Sequence, residues 1–531
     1  MRLSSLLQLA LLLVLLGCTV AARAQEPAAA PSHLGKVYFQ TSCSPEAQAL
    51  FDKGLALLHS FQYTEAHQIF ERAQSVDPKC AMAHWGKAMS LYEQLWTFPD
   101  EKRLKEGHEE VEQAQALHPT TPKEQAFLTA AAVFYHENPK MTHTERIKAY
   151  SSAMDTTHQQ MPDDVEVGAF TALALVALAE SDVDSLANQK KAIAILNPLF
   201  EKYPDHPGVA HYLIHAADRP ELAPQGLAAA RCYAQIAPDS AHALHMPSHI
   251  FVRLGLWQDS INSNVVSWAA ATRAAEQHTA EAHYQTHAMD YLNYSYLQSG
   301  QEAKARDVIA QMDHVVGGDE DSKLQHRAYL EARTALELHR WKEAAGVKIP
   351  AVSPDEQDSA YWARAIGSAR SGDVAGAQAA VQQLTKSVQA REAHARKDGY
   401  EVSTEKATDL REAEAWLAYA QGKTDAALEE LRAAAAREEK NGGESVIIPA
   451  REMLADMLSE LKRPIEALDE YKIVLKNAPN RFDALLGAGR AAEAAGNTGD
   501  AQTFYAKLVE DCPESADRPE LTEAKTIVAH K

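Results

Sequence analysis

A pattern recurring about every 34 residues constrains this chain more than any other feature: a small residue, then alanines around an apolar position, and often a proline. In the first clear copy Gly54 is followed by Leu57, Ala66, Phe70, Ala73 and Pro78. In a late copy Gly489 is followed by Ala492, Gly496, Ala501, Tyr505, Leu508 and Pro513. Each copy has the period of a helical hairpin, which cannot bury its apolar face alone and must stack on its neighbours. Stacking lets 531 residues fold as one array without a single large core.

The frame predicts hairpins at about 47–80, 81–119, 123–160, 163–206, 207–240, 241–278, 279–316, 322–350, 358–390, 407–440, 448–481 and 482–515. The expected fold class is therefore all-α, a right-handed α-solenoid of about twelve hairpins. Glycines at 255, 300, 372 and 422 mark turns between paired helices, since glycine tolerates positive φ after a helix. Gly317-Gly318, Ile349 to Pro354 and Gly442-Gly443 interrupt the periodicity and are candidate hinges. The first of them divides an N-terminal solenoid, 46–316, from a C-terminal one, 317–531. With aromatic residues at only 7%, close packing must rest on runs such as Ala433 to Ala436.

A net charge of −21 without any block of Lys and Arg argues against a nucleic-acid partner. At the N-terminus, Arg2 and the apolar run Leu6 to Leu16 have the form of a secretory signal, expected over 1–24. Two cleavage readings stand: Ala22-Arg23-Ala24 is a small-x-small site, and Leu15-Leu16-Gly17-Cys18 resembles a lipoprotein box, with signal 1–17 and lipidated Cys18. Either makes 25–45 a Pro/Ala-rich tether and the protein exported, periplasmic or anchored to a bacterial envelope membrane only through its N-terminal lipid. Export allows a disulfide between Cys43 and Cys80, which flank the first hairpin; two buried thiols are the alternative. Cys232 and Cys512 are expected as isolated core residues.

The repeat resembles the tetratricopeptide superfamily over nearly all of the chain after about Pro45. More narrowly, Cys80 to Gly86, His242 to Phe251 and Pro479 to Phe482 are similar to exported bacterial tetratricopeptide proteins of unassigned function. The resemblance implies that the first helix of each hairpin lines a concave groove suited to a protein or peptide partner.

Three His-x-x-x-His pairs exceed what a scaffold needs: His211 with His215, His245 with His249, and His283 with His287. Residues four apart share a helix face, and stacking sets the pairs side by side. Pro247 interrupts the second pair and predicts a kink. Three readings compete. The six imidazoles can bind Zn or another transition metal, with Asp218 or Asp290 completing or orienting the shell. Arg219 and Arg253, with His211, His215, His245, His249, Asp290 and Tyr294, can clamp a small anionic ligand. The histidines can also bridge helices as a structural network. Nothing identifies a nucleophile or an oxyanion donor, so a binding scaffold is expected ahead of a metal-dependent hydrolase, and no cofactor is required.

Overall fold

The computed structural model describes residues 33–95, 98–181, 185–277, 282–397, 399–400, 402–443 and 446–529. The expected signal segment, Cys18 and tether residues 25–32 lie outside these. Among the described residues all regular structure is helical, and no helix is long and apolar enough to cross a membrane.

Successive helices pair into twelve hairpins, closed by a last helix, Glu520–Ala529. The first joins Pro45–His59 to Tyr63–Val76, and the fourth joins Val165–Glu180 to Ser185–Lys202. The fifth joins Pro207–Ala217 to Ala223–Ile236. In the sixth the leading helix is split, Ala241–His245 and Pro247–Arg253, before Trp257–Glu276, and the seventh leads with His283–Gln298. The small-residue frame explains the stacking. A Cβ on Gly54 would come within 2.7 Å of the Phe70 ring, and one on Gly86 in the next hairpin within 2.4 Å of the same ring. Gly489 gives Tyr505 the same space, with a Cβ meeting it at 2.6 Å. In these hairpins an aromatic ring therefore seats in the notch left by a residue without a side chain.

The predicted turn glycines all take positive φ: Gly255, Gly300, Gly372 and Gly422. Phe61, His339 and Lys462 take the same conformation at equivalent turns, where sequence offers no glycine to mark them.

Two expectations change. Residues 33–44 are a strap laid over the hairpins, not a tether: Lys36 N donates to the Asp205 carbonyl at 3.0 Å, and Phe39 is only 2% exposed among Phe51, Trp85 and Phe127. Apolar positions inside the Pro/Ala-rich stretch outweigh its composition. Cys232, expected in the core, is exposed, and Cys512 is half-buried. Cys43 and Cys80 form a disulfide with Cα atoms 4.7 Å apart, fastening the end of the strap to the second hairpin.

Hairpins far apart in sequence meet across the array. Trp257 Nε1 donates to the Asn480 carbonyl at 2.9 Å, and the Gly300 carbonyl accepts from the backbone of Asp517 and Arg518. Tyr284 reaches the Phe61 carbonyl with its hydroxyl at 2.7 Å. The Gly442-Gly443 break, expected as a hinge, is stitched down by Arg253, whose Nη2 donates to the Gly443 carbonyl at 2.8 Å. Arg481, fully buried, holds Glu337, Glu452 and the Tyr294 hydroxyl together.

Gly442 and Gly422 separate these contacts from ordinary turn strain. Both have positive φ, but a Cβ on Gly422 meets nothing within 4 Å, whereas one on Gly442 lies 2.7 Å from the Arg219 Cζ. Gly422→Ala should cost about 1–2 kcal/mol, the left-handed penalty alone. Gly442→Ala should cost about 1–3 kcal/mol more by overpacking, read as a lower urea midpoint.

Candidate metal centre

The kinked sixth hairpin supplies the first set of ligands. Met246, at the break before Pro247, keeps helical angles (φ −53, ψ −33), so the turn continues and His245 and His249 still share a face. Their Nε2 atoms are 3.1 Å apart. His287 of the next hairpin packs against them, its ring centroid 4.4 Å from that of His245. One ring nitrogen from each of the three lies within 4.8 Å of the others.

The tautomers at this site follow from the hydrogen bonds. His245 Nδ1 is 2.7 Å from Asn264 Oδ1, and Asn264 is oriented by Nδ2 donating to the Ser260 carbonyl. Oδ1 can only accept, so His245 Nδ1 carries the proton. His249 Nδ1 is 2.7 Å from Asp218 Oδ2. Burial works to raise the Asp218 carboxyl, but Arg253 and His249 overcome it and hold it far below the usual range, so the carboxylate too only accepts. In the neutral imidazoles both Nε2 atoms therefore present lone pairs to each other at 3.1 Å. Such a contact needs a cation between the nitrogens, a proton or a metal ion. Burial, with the neighbouring His249, keeps His245 well below its ordinary basicity, and burial and His245 do the same to His287. A metal ion suits the geometry: two nitrogens bound at about 2.05 Å around a tetrahedral ion are about 3.3 Å apart.

The second set adjoins the first. His211 Nε2 is 3.1 Å from His215 Nε2 and 3.0 Å from His242 Nε2, so three ring nitrogens converge on one point. His211 Nδ1 donates to the His59 carbonyl at 2.6 Å, which turns the His211 lone pair toward that point. His211 is 0% and His242 2% exposed. Phe61, held at φ 55, sets its ring 4.4 Å from His211, 5.4 Å from His215 and 5.7 Å from His242. Burial, with His249, lowers His215 to about 3. The two sets touch: the rings of His215 and His249 are 6.1 Å apart and those of His242 and His245 6.3 Å.

A third group, His59, Glu166 and His206, has ligand-type atoms just as close but is proton-complete. His206 Nδ1 accepts from Val209 N, capping its helix, and its Nε2 faces Glu166 Oε1 at 3.2 Å. His59 Nε2 meets Glu166 Oε2 at 2.9 Å, while its Nδ1 meets the Tyr212 hydroxyl at 2.9 Å. Three of the four ring nitrogens have a hydrogen-bond partner, and the fourth, His206 Nε2, faces the Glu166 carboxylate at ion-pair distance. Glu166 Oε1 also accepts from the Tyr38 amide of the strap, so this group is a structural clasp.

The ligand-ladder expectation changes at one position. His283 is exposed and belongs to neither set; the helix Ala241–His245 supplies His242 in its place. A search for four-residue spacing passes over His242, which stands three before His245. The groove-facing placement changes as well, because closure of the array buries His211 and His245. Arg253 is committed to Asp218 Oδ1 at 2.8 Å, Asp290 to Arg333, and Tyr294 to Arg481, so they do not form one anion clamp. Arg219, 5% exposed, lies nearby against Gly442, and its ion pair with half-exposed Glu221 is a long 3.5 Å.

The chain is thus an all-α array of helical hairpins, with imidazoles gathered where its fifth, sixth and seventh hairpins meet. No known family profile matches the sequence, and no curated protein does. Among solved structures it is similar to yeast Tom70, at 13% identity over 91% of this chain and 96% of that one, with a TM-score of 0.35. It is also similar to a human IFIT1 dimer with PPP-AAAA, at 13% identity over 89% and 96%, TM-score 0.36. A tetratricopeptide repeat protein from Parabacteroides merdae matches at 12% identity over 54% of this chain and 97% of that one, TM-score 0.29.

The clasp predicts a pH dependence. Burial raises the Glu166 carboxyl, but His206 and His59 outweigh it and leave it well below its ordinary 4.5. A depressed carboxyl stabilises the fold above pH 4.5 and loses that contribution as pH falls toward the folded value. Glu166→Gln should cost about 3–5 kcal/mol at neutral pH and flatten the acid limb of the stability curve. Urea titrations from pH 7 to pH 3 measure both effects.

Proposed function

We propose that this protein binds a pair of first-row transition metal ions, one at His211, His215 and His242 and the other at His245, His249 and His287. The observation that carries this reading is the 3.1 Å contact between His245 Nε2 and His249 Nε2, whose two lone pairs need a cation between them. Neutral imidazole suits Zn, Cu, Fe and Ni, and an outer partner on Nδ1 is the arrangement that fixes a ligating histidine. Three ligands on an ion leave a position open, as in metal sites that bind an external molecule. The helical repeats are then the frame that brings ligands from three hairpins together. Export is supported by the Cys43–Cys80 disulfide, which suits an oxidising compartment, and metal capture or metal-dependent chemistry outside the cytoplasm is the role that follows.

Elemental analysis of untagged full-length protein tests this, after loading with Zn(II) or Cu and exhaustive desalting. Two ions per chain are expected. The double variant His245→Ala/His249→Ala should retain one, His211→Ala/His242→Ala should retain one, and His283→Ala should retain both. Folded wild-type protein that takes up neither Zn nor Cu overturns the reading.

A further inference from the structure

The two sets differ in surroundings. His211 and His242 are sealed under Phe61 and Tyr233, whose ring stacks on His211 at 5.1 Å. His287 instead lines a polar cavity of about 330 Å³ together with Asp218, Arg219, Arg253, Asp290 and Tyr291. That volume falls in the range of small-molecule sites. Glu180 also lines the cavity; of the other charges, Asp218 is matched with Arg253 and Asp290 with Arg333. Arg219 is the exception among these, since its carboxylate partner Glu221 is 3.5 Å away with a side chain 49% exposed. Its Nε is buried and makes no hydrogen bond. A metal ion at the adjoining set would add further positive charge to the same cavity.

We infer that the His245, His249 and His287 site is the one that exchanges an external ligand, a small anion entering through this cavity and oriented by Arg219, while the His211, His215 and His242 site holds its ion closed to such ligands. The inference rests on the metal-binding reading above. Arg219 touches no ligating nitrogen and acts on the incoming anion, so its removal leaves metal binding intact.

Azide is the probe, titrated into full-length protein loaded with Co(II) and followed through the visible d–d bands. One azide per chain is expected, perturbing one of the two ions. Arg219→Gln should bind two Co(II) and weaken azide by about tenfold or more, the loss of a charge-assisted hydrogen bond. His249→Ala should lose the azide response, and His211→Ala should keep it. Two azides per chain, none, or an unchanged affinity in Arg219→Gln with both ions present overturns the inference while leaving metal binding standing. Wild-type protein that takes up no Co(II), Zn(II) or Cu overturns both, and that result is read before azide is added.

Discussion

The Asp218 carboxylate is the point on which site and architecture both turn. One oxygen takes the His249 Nδ1 proton at 2.7 Å and so aims the Nε2 lone pair inward; the other takes Arg253 Nε at 2.8 Å. Arg253 in turn spans to the carbonyls of Gly442 and Gly443, some 190 residues away in sequence. A single buried anion therefore fixes a ligand's tautomer and draws the distant turn against the histidine cluster. An uncompensated charge there would be expensive, and the arrangement persists because Arg253 and His249 both answer it.

The same device recurs where the array closes. Arg333 joins Asp290 to the Val446 carbonyl, and Arg481 joins Glu337 and Glu452 across the junction with Tyr294. Burial lifts Glu452 to about 8 despite the opposing pull of Arg481, which sits between two carboxyls. Buried pairs of this kind yield little net stability over apolar packing. Their contribution here is geometric: bidentate arginine hydrogen bonds accept one register, and a repeat array, whose neighbouring units look alike, has few other means of specifying it.

This division explains what was legible in the sequence. Gly54, Phe70 and Gly86 form a local notch whose partners lie within one repeat, so hairpins and their order follow from spacing. Contacts such as Trp257 with Asn480 or Tyr284 with Phe61 have no period, and the closure that buries the histidines was therefore hidden. His211, His215, His245, His249 and His287 stood out through helical spacing. His242 did not, because the approach of the fifth hairpin, not spacing along one helix, brings it to His211. Phe61 was equally invisible as a wall of the site, since a phenylalanine at positive φ leaves no mark in a sequence.

Three groups among the described residues bring ligand-type atoms equally close, so proximity alone does not distinguish a metal site from a polar clasp. Counting protons separates the Glu166 group from the His245–His249 pair. Around Glu166, His59 donates with one nitrogen and accepts with the other, His206 accepts a helix N–H and turns its other nitrogen to the carboxylate, and the carboxylate supplies the negative charge. At His245 and His249 the outer acceptors, Asn264 Oδ1 and Asp218 Oδ2, take both Nδ1 protons, and nothing remains for the inner nitrogens to share. Burial keeps His245 well below its ordinary basicity. The outer shell thus determines the chemistry of the inner one: the acceptors behind His211, His245 and His249 turn helix-packing residues into lone pairs directed inward.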